Sequence, residues 1–169
     1  ETVVTEVPAT EEATPAAEAV PTVDTGDTAW ILVSTALVLL MTIPGLALFY
    51  GGMVRKKNVL STMMFSLSAA ILVSLIWVIA GYSLAFSGTG AYFGDLSKAF
   101  LNGVAFDALS GTIPESLFVI FQMTFAIITV AIISGSIADR MKYSAFMAFI
   151  AVWVILVYAP ITHWVWAAD

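Results

Sequence analysis

Apolar positions along this chain gather into four long runs, and the polar positions gather between them. The runs cover about residues 29–52, 59–86, 114–138 and 143–167, and no Lys or Arg interrupts any of them. A helix rises 1.5 Å per residue, so roughly 20 apolar residues cross a hydrocarbon layer about 30 Å thick. Each run is therefore long enough for a membrane-spanning helix. Between the second and third lies 87–113, "SGTGAYFGDLSKAFLNGVAFDALSGTI", a loop punctuated by Gly and Ser with room for a short interfacial helix around 95–101. Residues 1–28 show no such runs. They are rich in Ala, Thr, Pro, Val and Glu and bury too little apolar area to offset their ordering entropy. The expected division is a disordered, acidic, solvated tail over 1–28 and a helical membrane domain over 29–169.

Residues at the run boundaries refine these elements. Pro44 lies inside the first run, where its missing N–H breaks a helical bond and predicts a kink. Arg55, Lys56 and Lys57 complement the negative end of the first helix, and Asn58 is placed to cap the second. Thr112 is the nearest candidate cap for the third helix. Pro114 after it is tolerated in a first turn, and Glu115 then sits near the positive helix end. Ser66, Ala70, Ser134 and Ala138 are small enough to let helices approach closely.

Composition settles the solvent. With 60% hydrophobic and 11% charged residues and a mean hydropathy of +0.99, the chain reads as an all-α membrane protein. The charges are segregated. Residues 1–28 hold Glu1, Glu6, Glu11, Glu12, Glu18, Asp24 and Asp27 with no basic residue, whereas Arg55–Lys57 and Arg140–Lys142 contain five of the six basic residues. Basic connectors stay on the cytoplasmic side. The tail, the 87–113 loop and Asp169 are therefore expected outside. No broad basic surface suggests a nucleic-acid partner, and with no Cys there is no thiolate metal site. Paired carboxylates, HExxH, GxSxG and P-loop patterns are absent, so no enzyme, cofactor or metal site is expected. His163 is the sole histidine and reads as an interfacial polar group.

Candidate chemistry comes from aromatic positions. In "FQMTF", Phe121 and Phe125 are four residues apart and share a helix face. From the outer end near Pro114 they lie roughly 10–16 Å into the membrane, with Gln122 at similar depth. Trp166 ends the fourth run, so adjacent antiparallel helices would bring it toward Phe121 and Phe125. Packing alone explains aromatics at such spacing, and Trp favours interfaces in any membrane protein. As a ligand site, their π-faces suit a small cation at about 0.5–2 kcal/mol per contact. Carrying an isolated ion into a dry interior costs tens of kcal/mol in the Born limit. Such a site can recruit and partly dehydrate a cation at the mouth; deeper passage requires a neutral substrate, separate proton movement or further groups.

With these features in hand, the sequence resembles the ammonium transporter family (Amt/Mep/Rh), as the N-terminal portion of a prokaryotic-type member. The resemblance runs from about residue 27 to the end. It rests on "DTAW" at 27–30, "PGLALFYGGMVRKKN" at 44–58, "FQMTF" at 121–125, "SGSIADRMKYSAF" at 134–146 and "VWVILVYAPITHWVW" at 152–166. It implies four transmembrane helices of an eleven-helix fold, part of the first of two inverted repeats, in a homotrimer with one pore per protomer. By the same resemblance, Phe125 matches an aromatic of the outer recruitment site and gate, Trp166 the tryptophan of that site, and Phe121 its edge. The family's paired pore histidines, buried aspartate, serine and second gating Phe fall beyond Asp169, so the chain reads as a fragment of a longer transporter.

The leading expectation is a channel-like ammonium/ammonia transporter for nitrogen uptake in the cell (inner) membrane. Ammonium is recruited outside and deprotonated before passage, and a PII-type signalling protein is a possible partner at the cytoplasmic face. The alternative is an ammonium-sensing domain of a signalling protein; a structural or interaction fragment is the third reading.

Overall fold

The computed structural model describes residues 22–137 and 140–167, and four long helices dominate them. They are Thr25–Met53, Lys56–Phe86, Glu115–Ile137 and Tyr143–Trp166, with 29, 31, 23 and 24 residues. At 1.5 Å per residue each exceeds the hydrocarbon thickness. All four match the apolar runs to within a few residues, and the chain is a multi-pass helical membrane protein. The expected tail at 1–21, Ala138 and Asp169 lie outside the described residues.

The first helix starts earlier than the apolar run. Asp24 takes the N-cap position, its Oδ1 accepting from the Asp27 amide at 2.8 Å. Residues 25–28, grouped with the tail by composition, are therefore helical, because one cap satisfies an amide that would otherwise lack a partner. The second helix begins with a 3-10 turn, Lys56–Asn58. Asn58 takes the N-cap position of the α-helical part but makes no side-chain cap bond there. Its carbonyl accepts from Thr62 Oγ1 at 3.0 Å.

Three helices contain a widened π turn: Met41–Leu46, Trp77–Gly81 and Val154–Tyr158. The first encloses Pro44, where the kink was expected. A proline cannot donate to the carbonyl four residues back, and widening the turn accommodates that lost bond. Pro160 follows the third π turn by two residues, and the same physics applies there.

The second helix packs against the other three. Ala69, Val73, Trp77, Ala126, Val130, Phe146, Ile150 and Val154 form the buried centre. Trp77 is fully buried; its indole Nε1 donates to the Val119 carbonyl at 3.1 Å, and its ring meets Tyr82, Phe86 and Tyr158 edge-on. Elsewhere the pattern is inverted relative to a water-soluble protein. The first helix buries Thr35, Thr42, Ala47 and Gly51 while exposing Leu32, Leu37, Leu40, Leu48 and Phe49. Lipid tails are as apolar as leucine, so small and hydroxyl-bearing residues take the contacts between helices. Thr35 and Thr42 satisfy their hydroxyls on Ile31 and Val38 carbonyls at 2.7 and 2.8 Å. The close approach expected from the small residues occurs at Ser66 and Ser134, whose hydroxyl oxygens are 3.5 Å apart.

The antiparallel helices give the bundle two unlike ends. One carries the connectors with Arg55–Lys57 and Arg140–Lys142, and is called the basic end below. The other, the loop end, gathers the start of the first helix, residues 87–113 and the end of the fourth helix. In place of a helix around 95–101 the loop has a three-residue 3-10 turn, Ala99–Leu101, interrupted by Phe100 at φ 56°. Two short antiparallel strands, β1 (Leu109–Ser110) and β2 (Ile113–Pro114), lead into the third helix. Thr112, between them, does not cap that helix. Its hydroxyl donates to Asp27 Oδ2 at 2.6 Å and its carbonyl accepts from the Asp24 amide at 2.9 Å, fastening the first helix to the loop.

Candidate functional site

The third helix positions the site. Phe121 and Phe125 project from one face, and their rings meet edge-on with centroids 5.0 Å apart. Phe125 is 37% exposed, so one aromatic surface stays open instead of closing into the core. Gln122, between them in sequence, is buried. Trp166, the last residue of the fourth helix, is 63% exposed.

Trp166 forms a wall shared by three clefts. The first, of about 510 Å³, is bounded by Phe121, Gln122 and Trp166 together with Asp27, Trp30 and the Ser110–Ile113 turn. The second, of about 320 Å³, lies between the third and fourth helices and is bounded by Gln122, Phe125, Thr129, Tyr158, Thr162 and Trp166. The third, of about 270 Å³, opens beside Tyr82, Phe86, Lys98, Glu115, Phe118 and Trp166. The three residues selected from sequence thus meet around two adjoining clefts: Phe121 borders the first, Phe125 the second, and Trp166 both.

Asp27, Trp30 and Gln122 complete this setting. Asp27 and Trp30 were both present in "DTAW", but grouping Asp27 with the tail hid the signal; only the fold shows that the helix start leans over the third helix. The resulting surface offers aromatic faces, a carboxylate already held by Thr112, and an amide. Such a lining favours a small cation bearing N–H donors over an anion, because ring faces and carboxylate oxygen are all electron-rich.

His163, expected as an interfacial polar group, stands near the loop end of the fourth helix but does not face solvent. It is buried, with Nδ1 3.0 Å from the Ala85 carbonyl oxygen and Nε2 2.7 Å from that of Gly90. Trp164 Nε1 donates to the Tyr92 carbonyl at 3.0 Å beside it. These contacts tie the end of the fourth helix to the end of the second helix and the loop, which fixes where Trp166 stands. Among the described residues no cluster of three or more His, Cys, Asp or Glu is arranged to hold a metal.

Comparison with known proteins agrees with this architecture. Residues 29–169 match the model of the Ammonium Transporter Family. An ammonium transporter of Bacillus subtilis (strain 168) is 55% identical over 143 residues, covering 83% of this chain and 35% of that protein. An ammonium transporter of Mycobacterium tuberculosis (strain H37Rv) is 49% identical over 164 residues, covering 86% and 34%. Among solved structures, Mep2 of Candida albicans superimposes with a TM-score of 0.78 at 36% identity, covering 86% of this chain and 32% of that one. Mep2 of Saccharomyces cerevisiae gives 0.78 at 35% identity, covering 86% and 34%. The chain spans about a third of the length of the curated relatives it matches.

Proposed function

Because this chain belongs to the ammonium transporter family, a family of transporters and not of enzymes, we propose that it forms the entrance portion of an ammonium/ammonia transporter. Phe121, Phe125 and Trp166 recruit ammonium at the loop end. The observation that carries this reading is the position of Trp166 as a wall common to the Phe121 cleft and the Phe125 cleft. The two clefts share Trp166 and Gln122 in their linings, so a cation recruited in the first has both side chains beside it on its way to the second.

Energetics sets the next step. Each ring contact contributes about 0.5–2 kcal/mol to holding a cation. Burial of an isolated charge costs far more, tens of kcal/mol in the Born limit. The described helices place no carboxylate near their centres, so aromatic contacts cannot carry the ion onward. Ammonium therefore gives up a proton after recruitment and crosses as ammonia, beyond the part of the path these four helices build. The chain is the N-terminal part of a longer protein whose later helices complete the pore, assembled as a homotrimer.

The loop end faces outward and the basic end faces the cytoplasm, following the distribution of Arg55–Lys57 and Arg140–Lys142. In a bacterial cell this orientation in the inner membrane serves nitrogen uptake, and the basic connectors offer a cytoplasmic docking face for a PII-type signalling protein. The sensor alternative draws no support from the relatives, which are named as transporters.

Substitution of Trp166 by Leu in the full-length protein tests the reading. Removing one cation–π contact of about 0.5–2 kcal/mol should weaken ammonium recruitment by about 2- to 30-fold, and should lower discrimination against potassium by less than that, because potassium is drawn to the same ring face. The measurement is paired ammonium and potassium flux in proteoliposomes. Unchanged ammonium recruitment, with the protein folded, would overturn the assigned role of Trp166.

A further inference from the structure

The third cleft contains a cation already. Glu115 is buried, and its Oε1 accepts from the Tyr82 hydroxyl at 2.7 Å and from Lys98 Nζ. The same Nζ lies over the Tyr82 ring, 5.9 Å from its centroid. Phe86, Phe118 and Trp166 contribute the remaining aromatic surface of this cavity of about 270 Å³. A desolvated carboxylate needs a counter-charge, and here a primary ammonium supplies it within an aromatic lining.

Chemically, Lys98 Nζ is a tethered alkylammonium: a single positive charge with three N–H donors on a flexible stem. It enters from the loop, with its side chain one-third exposed. Its backbone is held independently of the ammonium. The Lys98 amide donates to Ser83 Oγ at 3.0 Å, and Ser83 Oγ donates to the Asp95 carbonyl at 2.8 Å. The side chain can therefore leave Glu115 while the loop keeps its place.

We propose that the Tyr82–Glu115 pocket is a second binding site for small ammonium-type cations, beside Trp166, and that Lys98 is its built-in competitor. A short flexible tether gives an effective concentration on the order of millimolar. In the unaltered protein a free cation displaces Lys98 only as it approaches that concentration. Removing the Lys98 charge opens the pocket to free cations at lower concentration. The choice of ammonium-type ligands rests on the transport reading above; the pocket itself rests on Glu115, Tyr82 and Lys98.

The test uses full-length protein in detergent, with methylammonium chloride as probe and sodium chloride at equal ionic strength as reference. Thermal unfolding is followed for wild type, Lys98→Met, Lys98→Arg and the double variant Lys98→Met/Glu115→Gln. Lys98→Met leaves a buried carboxylate unpaired, so it should unfold several degrees below wild type in sodium chloride. Methylammonium should restore it in a saturable manner, with half-effect at least tenfold lower in concentration than in wild type. Lys98→Arg keeps a tethered cation and should respond no more strongly than wild type; the double variant has no charge to neutralise and should not respond. Equal restoration by sodium, no restoration by methylammonium, or a response retained in the double variant would each overturn the proposal. If Lys98→Met folds only when purified in methylammonium, the proposal stands; failure to fold in both salts overturns it. Methylammonium uptake by wild type, measured alongside, separates the readings: absent uptake removes the transport function, whereas the unfolding data alone decide the pocket.

Discussion

The loop end and the basic end of this bundle differ in what their long-range contacts hold in place. At the loop end, residues far apart in sequence are joined by directed polar contacts. Thr112 reaches Asp27, His163 reaches Ala85 and Gly90, Trp164 reaches Tyr92, and Glu115 holds Tyr82 and Lys98. At the basic end the connectors are short, and close approach is joined by directed contacts, the Tyr50 hydroxyl donating to the Ile132 carbonyl at 3.0 Å and the Tyr143 hydroxyl to Ser68 Oγ at 2.7 Å. Gly135 lies against the Tyr50 ring, Ser66 against Ser134, and the Phe65 ring meets Tyr143 edge-on. At the loop end such contacts anchor the long 87–113 connection beside the aromatic and acidic clefts, while at the basic end they join helices that already pack closely.

The strongest way to break that contrast is to attack the loop backbone. A Cβ on Gly94 would stand 2.3 Å from the Ser87 carbonyl oxygen, 2.6 Å from that of Ser83 and 2.8 Å from that of Leu84. None of these atoms belongs to a side chain that can rotate away. Gly94→Ala should therefore cost about 3 kcal/mol and disorder the loop against the second helix. Thermal unfolding of the full-length protein measures the loss, and a shift near zero would show that the loop absorbs the change.

The corresponding change at the basic end should cost less. A Cβ on Gly135 would lie 2.3 Å from the Tyr50 ring, but this neighbour is a side chain. Tyr50 can swing outward, forfeiting the bond from its hydroxyl to the Ile132 carbonyl at 3.0 Å. We expect Gly135→Ala to cost about 1–2 kcal/mol. In a Tyr50→Ala background the same substitution should cost little, because the clash disappears. A double variant clearly less stable than Tyr50→Ala alone would show that the third helix itself resists the substitution.

The two ends also differed in how far sequence alone could describe them. The four spans were legible because 20 or more apolar residues without a charge have few alternatives in water or in lipid. Pro44 announced its own irregularity. The shared helix face of Phe121 and Phe125 followed from spacing, and antiparallel neighbours brought Trp166 near. Thr112, His163 and Glu115 were harder, since each has a local role that its sequence neighbours favour. Thr112 sits where a cap would sit, and His163 where an interfacial group would. Their actual partners are 85, 78 and 73 residues away for Thr112–Asp27, His163–Ala85 and His163–Gly90. Periodicity carries no information about contacts of that range. The Trp77–Gly81 π turn has no proline inside it, and composition gave no sign of it.

The smallest effect sharpens the contrast from within the loop. Asp95 is fully exposed, so burial plays little part in its titration. Its Oδ1 accepts from the Ser97 hydroxyl at 2.6 Å and from the Ser97 amide at 3.0 Å. These bonds, the hydroxyl first, favour the charged form and hold the carboxyl below the ordinary aspartate range. A depressed folded-state value makes a stabilising contribution that is present above the ordinary value. That contribution is lost as pH falls through the folded midpoint, on the acid side of the usual range near 3.9. Ser97→Ala removes the larger cause while leaving the amide, so the midpoint should rise partway toward the ordinary value. Site-specific carboxyl NMR in the full-length protein reads this directly. An unchanged midpoint would mean that the Ser97 hydroxyl does not hold Asp95. A full return to the ordinary value would mean that the hydroxyl, and not the turn's backbone, sets this corner of the loop end.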